Sequence, residues 1–219
     1  MDRRKALAVG GFLSLALINR TTGKDKKCGK YDEFRQVAII PPGGQSKEHF
    51  LQKCTACYAC VSACPSKVLR PSTLEHGWSG IFMPHLTNKD GYCNFECVKC
   101  SEVCPNGALL PLKVEEKKEL QLGIAKFVRE RCVVITDKTE CGACSEHCPV
   151  KAVNMVVEDG LRVPIVEEAI CVGCGACEYA CPVLPLKAIY IEGHDAHQVA
   201  LKPKVEKLPE VNIEEDFPF

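Results

Sequence analysis

The chain has 219 residues, enough for one or two domains, and its 28 basic and 28 acidic residues give a net charge of zero. This balance gives no indication of a nucleic-acid partner. Seventeen cysteines leave two interpretations, a disulfide scaffold or metal ligation. Because sixteen of them fall into four groups with ligand-like spacing, the sequence favours metal ligation.

The first twenty residues have the features of an export signal. Arg3 and Arg4 precede an apolar run from Ala6 to Ile18, which is too short for a typical transmembrane helix. The paired arginines indicate a Tat-type signal, with a buried amphipathic helix as the alternative. No A-x-A cleavage site follows Ile18, so we expect either an exported signal or an uncleaved membrane anchor over residues 1–20. Prolines and glycines at residues 41–44 predict a linker over residues 21–48.

Four cysteine runs fill residues 49–192, and each ends in a Cys-Pro pair. The first and fourth runs have the spacing C-x2-C-x2-C-x3-C-P. The second run has one extra residue in its first interval, and the third has eight residues between its first two cysteines. In chain order, the runs consist of Cys54, Cys57, Cys60 and Cys64; Cys93, Cys97, Cys100 and Cys104; Cys132, Cys141, Cys144 and Cys148; and Cys171, Cys174, Cys177 and Cys181.

The regular spacing is the one with which bacterial ferredoxins hold 4Fe-4S clusters: three cysteines converge on one cluster and the fourth ligates the second cluster of a pair. Four runs predict four 4Fe-4S clusters with these sixteen cysteines as metal ligands and no catalytic residue. In the fourth run, Gly173, Gly175 and Ala176 are small enough to let backbone N–H groups approach the cluster sulfurs.

Short apolar segments flank the runs and predict strands, as at residues 81–83, 125–128 and 163–166. Each unit is therefore expected to contain a strand, a cluster loop, a short helix and a second strand. The predicted fold class is α+β, with tandem two-cluster modules like those of bacterial ferredoxins.

The pairing of the runs follows less directly from their spacing. Because runs one and four are regular while runs two and three are irregular, we expect a nested arrangement. Residues 49–70 would then form one module with residues 160–192, and residues 80–156 would form the other. Sequential pairing, one with two and three with four, is the alternative and uses the same ligands.

Two other metal chemistries compete with this interpretation. Cys93, Cys97 and Cys100 have the spacing of a radical S-adenosylmethionine cluster, but Cys104 and Pro105 complete a ferredoxin run, and the chain is too short for the barrel of such enzymes. Zinc ribbons use two separated cysteine pairs rather than three cysteines in a row with a fourth before proline.

Three features lie outside the runs. The charged block from Lys113 to Glu119 is expected to be a solvated linker or helix face. Residues 193–219 alternate charges and prolines and are expected to form an extended tail. Cys28 belongs to no run and is interpreted as a free thiol.

The arrangement of the runs resembles that of NapG/MauM-type periplasmic ferredoxins. The most specific stretch is LGIAKFVRERC…CGACSEHCP, in which Cys132 stands well ahead of Cys141. The resemblance covers about residues 1–20 and 50–192. It implies four 4Fe-4S clusters held by the sixteen cysteines, a periplasmic location, and membrane association through a partner or the N-terminal segment.

The resemblance also implies an electron-transfer subunit that is not itself an enzyme. Such a subunit passes electrons from a quinol-oxidising membrane partner of the NapH type to a periplasmic reductase or cytochrome. Beta subunits of molybdopterin oxidoreductases are the alternative, although their third run usually has a long interval between cysteine pairs that this chain lacks.

Overall fold

The computed structural model of the protein describes residues 35–202, so the predicted signal at residues 1–20, Cys28 and residues 203–219 lie outside the described residues. Within this range, short helices and short strands follow one another, as an α+β chain should. The helices are α1 (Lys47–Lys53), α2 (Ala59–Ala63), α3 (Lys99–Glu102), α4 (Val114–Glu119), α5 (Val133–Thr136), α6 (Ala143–Glu146) and α7 (Ala176–Ala180). The strands are β1 (Leu69–Pro71), β2 (Pro84–Leu86), β3 (Leu120–Phe127), β4 (Val153–Glu158), β5 (Leu161–Val166) and β6 (Ile189–Val199).

The helices are short because most of them occupy a single turn of a cysteine loop. Helices α2, α3, α6 and α7 each begin within a cysteine run and end close to the Cys-Pro pair. The longer α1 precedes the first run, and its N-terminus is capped by the Ser46 hydroxyl, which accepts a hydrogen bond from the His49 N–H at 3.2 Å. No helix within residues 35–202 is both long and apolar enough to cross a membrane.

The described strands form three two-stranded antiparallel sheets: β1 with β2, β3 with β6, and β4 with β5. Strands β4 and β5 are joined by Asp159 and Gly160, whose φ angles of 51° and 79° are those of a type I′ hairpin turn. The strands predicted at residues 125–128 and 163–166 are confirmed, in β3 and β5. The strand predicted at residues 81–83 was wrong, because Phe82 has a φ of 67° and β2 begins only at Pro84.

The sheet of β3 and β6 joins the beginning of the C-terminal half of the described chain to its end. Strand β3 precedes the third run and β6 follows the fourth, and their register pairs Leu120 with Val199 and Phe127 with Ile189. The chain after residue 192, predicted to be extended, continues as strand β6 to Val199. Strand β3 supplies the hydrogen-bond partners of this polar part of β6.

The predicted linker was also wrong for residues 38–44, which lie in the protein interior. Ile39 and Ile40 are fully buried, and Ile39 forms a β-bridge with Leu86 of β2. The Gly44 N–H donates to the Pro41 carbonyl at 3.1 Å, and the Leu110 N–H donates to the Gly43 carbonyl at 2.9 Å. Since these polar groups are satisfied internally, a turn rich in proline and glycine can be buried.

Candidate iron–sulfur centres

The structure gathers the sixteen cysteines of the runs into four groups of four. Cavities lined by the cysteines define groups 1, 2 and 3. Group 4 is defined by the electrostatic influence of Cys148 on the pKa of each of the three cysteines that begin run four. Group 1 is Cys54, Cys57, Cys60 and Cys104; group 2 is Cys64, Cys93, Cys97 and Cys100; group 3 is Cys132, Cys141, Cys144 and Cys181; and group 4 is Cys148, Cys171, Cys174 and Cys177.

Each group combines three cysteines of one run with the fourth cysteine of a neighbouring run. Runs one and two exchange Cys64 and Cys104, and runs three and four exchange Cys148 and Cys181. Helix α2 packs against α3, and α6 packs against α7, within the same two pairs. The runs therefore pair sequentially, and the nested arrangement of residues 49–70 with 160–192 and of 80–156 was wrong.

The nested prediction failed because spacing within a run reflects its local loop, not its partner. The eight-residue interval of run three contains α5, a single helical turn between Cys132 and Cys141. These extra residues lengthen the loop between Cys132 and Cys141. They do not move the Cys-Pro end of the run, whose cysteine joins the neighbouring group. Regularity of spacing therefore carries no information about pairing.

Glycines in run four allow a very close approach to neighbouring backbone. Gly173 and Gly175 have φ angles of 69° and 83°. A Cβ at Gly173 would lie 2.6 Å from backbone atoms of Gly123 in β3, and one at Gly175 would lie 2.1 Å from the Asn88 side chain. The loop is further held to β3 by the Leu122 N–H, which donates to the Val172 carbonyl at 3.1 Å.

Backbone N–H groups point at several of the sulfurs, as the sequence led us to expect for run four. The N–H groups of Gly173 and Ala176 donate to Cys171 and Cys174. The same device serves two of the exchanged cysteines: the Leu109 N–H lies 3.3 Å from the Cys104 Sγ, and the Ala152 N–H lies 3.2 Å from the Cys148 Sγ. Such N–H donors stabilise negative charge on sulfur.

Burial opposes that stabilisation and keeps the free thiols protonated. It raises the pKa of Cys60 to about 11 and the pKa values of Cys100, Cys144 and Cys174 to about 12. Neighbouring thiolates of the same group raise these pKa values further. Four thiolates can therefore share one of these sites only when a cationic group binds among them, and that binding must release protons.

The donor set and its geometry fit a cluster better than a single ion. Zinc holds sulfur at about 2.3 Å, which would place the four sulfurs about 4 Å from one another. Within residues 35–202, no three His, Cys, Asp or Glu side chains converge closely enough to hold one metal ion. A 4Fe-4S cluster is ligated at four different irons, so its cysteines stand farther apart around a central space. Groups 1, 2 and 3 each surround a cavity that their four cysteines and mainly apolar side chains line.

The two modules meet at groups 2 and 4. The Cys93 N–H donates to the Cys174 carbonyl at 2.9 Å, so one hydrogen bond joins a cysteine of each group. Groups 1 and 2 are neighbours within the module that runs one and two form. Burial and Cys93 raise the pKa of Cys100 most, and Cys60 of group 1 is the next neighbour that raises it. These contacts place the groups in the order 1, 2, 4, 3, with groups 1 and 3 at the ends.

One residue of the site did not follow from the sequence pattern. Lys117 lies in the charged block expected to be solvated, yet its side chain is buried and its Nζ donates to the Asn94 carbonyl beside Cys93. The block does form a helix, α4, and its glutamates are exposed or half-buried. Because six of the seven residues from Lys113 to Glu119 are Lys or Glu, the apolar spacing that reveals a buried helix face is absent.

Two family models match the chain, and both describe a 4Fe-4S dicluster domain. One covers residues 53–109, which hold all of runs one and two, and the other covers residues 138–184, which hold run four and the last three cysteines of run three. Two domains with two clusters each imply four 4Fe-4S clusters, so the predicted cofactor is confirmed.

Several curated proteins resemble the chain. The ferredoxin-type protein NapG of Escherichia coli K12 is 32% identical over 147 residues, 63% of each chain, so the chain spans somewhat less than two thirds of that relative. The methylamine utilization ferredoxin-type protein MauM of Paracoccus denitrificans is 31% identical over 186 residues, 78% of this chain and 76% of MauM. The ferredoxin-type protein NapF of Escherichia coli K12 is 31% identical over 157 residues, 71% of this chain and 87% of NapF. No solved structure matches the chain.

Proposed function

The chain belongs to the family of ferredoxin-type proteins that includes NapG and MauM, and from this premise we propose that it carries electrons between redox partners without catalysing a reaction. The observation that carries the proposal is the gathering of sixteen cysteines into four groups by exchange of the fourth cysteine. We assign groups 1 to 4 as the ligands of the four clusters.

The protein's own residues set the conditions under which the clusters work. When bound, a 4Fe-4S cluster supplies one-electron oxidation and reduction. The thiolates hold it, the N–H donors of Leu109 and Ala152 stabilise charge on the exchanged cysteines, and apolar side chains keep water away. Phe127 and Val134 exclude water at group 3, as Phe50 does at group 1.

The arrangement of group 2 speaks against an enzyme of the radical S-adenosylmethionine type. Such chemistry needs a cluster with three cysteines and one open iron. Cys93, Cys97 and Cys100 are joined by a fourth thiol, Cys64, which run one contributes across the module. With four thiol ligands at the site, no iron is left open for a substrate.

We further propose that the protein works in the periplasm and is exported by the Tat route. The supporting observations are Arg3 and Arg4 before the apolar segment and the resemblance to periplasmic ferredoxins. The donor we propose is a quinol-oxidising membrane protein of the NapH type, and the acceptor is a periplasmic reductase or cytochrome. Membrane association through that donor, or through residues 1–20, would keep the two redox sites close together.

Counting electrons tests the proposed function. The full chain, purified without oxygen, is reduced with dithionite, freed of excess reductant and titrated with ferricyanide while the visible absorbance is recorded. We expect about four electrons per chain, one for each cluster, and full recovery over repeated cycles. Loss of absorbance after one cycle, or fewer than about three electrons from iron-replete protein, would argue against an electron carrier with four clusters.

A further inference from the structure

Lys117 is a buried cation next to one of the four thiol groups. Lys117 is only 4% exposed, and its Nζ donates to the Asn94 carbonyl, whose oxygen lies 3.9 Å from the Cys93 Sγ in group 2. Burial raises the pKa of Cys93, and Lys117 is the strongest influence in the opposite direction. The ammonium group therefore interacts directly with a cysteine that we assign as a cluster ligand.

The surroundings of Lys117 contain no other negative partner. Within residues 35–202, no carboxylate lies within ion-pair distance of its Nζ, although burying a lysine without an opposite charge is costly. The next residue differs in this respect: Lys118 pairs with Glu96 at 2.6 Å and lies over the Phe95 ring at 5.6 Å from its centroid. The missing counter-charge of Lys117 points to an anionic group at Cys93.

Helix α4 holds Lys117 in this position from both of its ends. The Lys113 N–H donates to the Glu116 carboxylate at 2.9 Å and fixes the first turn. At the other end, Lys118 binds to Phe95 and Glu96 in the loop that follows Cys93. The helix is therefore attached to the group 2 loop by adjacent lysines, one buried and one half-buried.

Group 3 also has a lysine contact, since the Nζ of the half-buried Lys187 donates to the Cys181 carbonyl at 2.5 Å, but Lys117 is the more deeply buried of the two. Among the described cysteines with a shifted pKa, only Cys93 has a lysine or arginine among the causes of its shift. In group 4 the nearby charges are negative: Glu168 raises the pKa of Cys171, and Glu178 raises that of Cys177, in each case after burial. Among these cysteines, Cys93 of group 2 is thus the one whose pKa a buried lysine lowers.

We propose that Lys117 is a positioning residue that raises the reduction potential of the cluster held by group 2, an inference that rests on the proposed function. A thiolate-ligated cluster is anionic and becomes more negative when it accepts an electron. A buried ammonium beside a ligand sulfur therefore favours the reduced state. Because water screens a buried charge only weakly, we expect an effect of about tenfold on the reduction equilibrium, equivalent to about 59 mV for one electron.

The test is a potentiometric titration of the full holoprotein followed by electron paramagnetic resonance. Lys117→Gln removes the charge, and Lys117→Met removes it while filling the same buried space. Lys113→Gln is the matched control, since it removes an exposed lysine of the same charged block and keeps the backbone N–H that binds Glu116. Cys97→Ser identifies the group 2 signal, because it changes a ligand of that cluster alone.

We expect both Lys117 variants to lower the potential of the group 2 signal by about 59 mV, a tenfold change in the reduction equilibrium. The other three signals, and all four signals of the Lys113 variant, should be unchanged. Lys117→Arg keeps the positive charge and should therefore retain most of the potential measured for the unchanged protein. Unchanged potentials in iron-replete Lys117→Met, or an equal fall at all four sites, would overturn the proposal. Iron analysis of each sample separates this outcome from failure of the proposed function, which would appear as missing clusters in the unchanged protein.

Discussion

Protonated thiols and close backbone contacts define the sites at the scale of single residues. The raised pKa values of Cys60, Cys100 and Cys174 show that these side chains gain little from being thiolates until a cation arrives. The N–H donors at Cys104 and Cys148 are already in place. The chain therefore provides preformed sites whose occupation is coupled to proton release.

Gly175 provides a test of this close packing. Both Gly175 and Gly107 have positive φ angles, 83° and 66°, but a Cβ at Gly175 would strike Asn88 while one at Gly107 would meet nothing within 4 Å. We expect Gly107→Ala to cost about 1–2 kcal/mol through its φ angle alone. Gly175→Ala should cost about 1–3 kcal/mol more, through overpacking.

Thermal unfolding midpoints of the two holoproteins, measured at one scan rate, would compare these costs. We also expect Gly175→Ala to lose iron from group 4, which Gly107→Ala should retain. Equal midpoints and equal iron contents would show that the Asn88 contact is unimportant.

At the scale of elements, the sequence predicted what is local and missed what depends on distant partners. Cysteine spacing predicted the loops and their short helices because three of the four loops close within 11 or 12 residues and the third run within 17. The strands at residues 125–128 and 163–166 were also predictable from apolar runs. The extension of β6 to Val199 was not, because its polar residues become a strand only when β3 lies beside them.

Burial of residues 38–44 and of Lys117 was missed for related reasons. Proline and glycine indicate a turn but say nothing about whether other elements cover it, and here Leu86 and Leu110 do so. A lysine in a charged block is usually solvated, so only the structure reveals that this one faces Cys93.

The N-terminal segment of the described chain is tied to α7 and β6 by one buried ion pair. Arg35 donates to both carboxylate oxygens of Glu178, at 2.8 and 3.0 Å, and to the Ile191 carbonyl at 2.7 Å. Glu178 Oε2 also accepts from the Asn88 side chain at 2.9 Å. Removing one partner of such a pair leaves an uncompensated buried charge, so we expect Glu178→Ala to cost about 3–5 kcal/mol.

Asp90→Ala supplies the comparison, because Asp90 pairs with Arg70 in solvent at 3.4 Å. Its loss should cost about 0–1 kcal/mol. Thermal unfolding of the two variants beside the unchanged protein would measure both effects. A Glu178→Ala midpoint as high as that of Asp90→Ala would refute a stabilising role for the buried pair.

At the scale of the whole molecule, the four cysteine groups form a series with two central and two terminal members. Groups 2 and 4 form the middle, joined by the Cys93–Cys174 hydrogen bond, and groups 1 and 3 lie at opposite ends of the series. Cys57 of group 1 is exposed, whereas every cysteine of group 4 is buried. This order suits a protein that accepts electrons at one end and delivers them at the other, with the most protected site inside.

We assign the sixteen cysteines in four groups as the ligands of four 4Fe-4S clusters. The most direct test is the iron and acid-labile sulfide content of the full chain purified without oxygen. We predict about sixteen irons and about sixteen sulfides per chain, because four clusters contain four irons and four sulfides each. A saturating content of about twelve irons or fewer after reconstitution, or zinc without sulfide, would contradict this assignment.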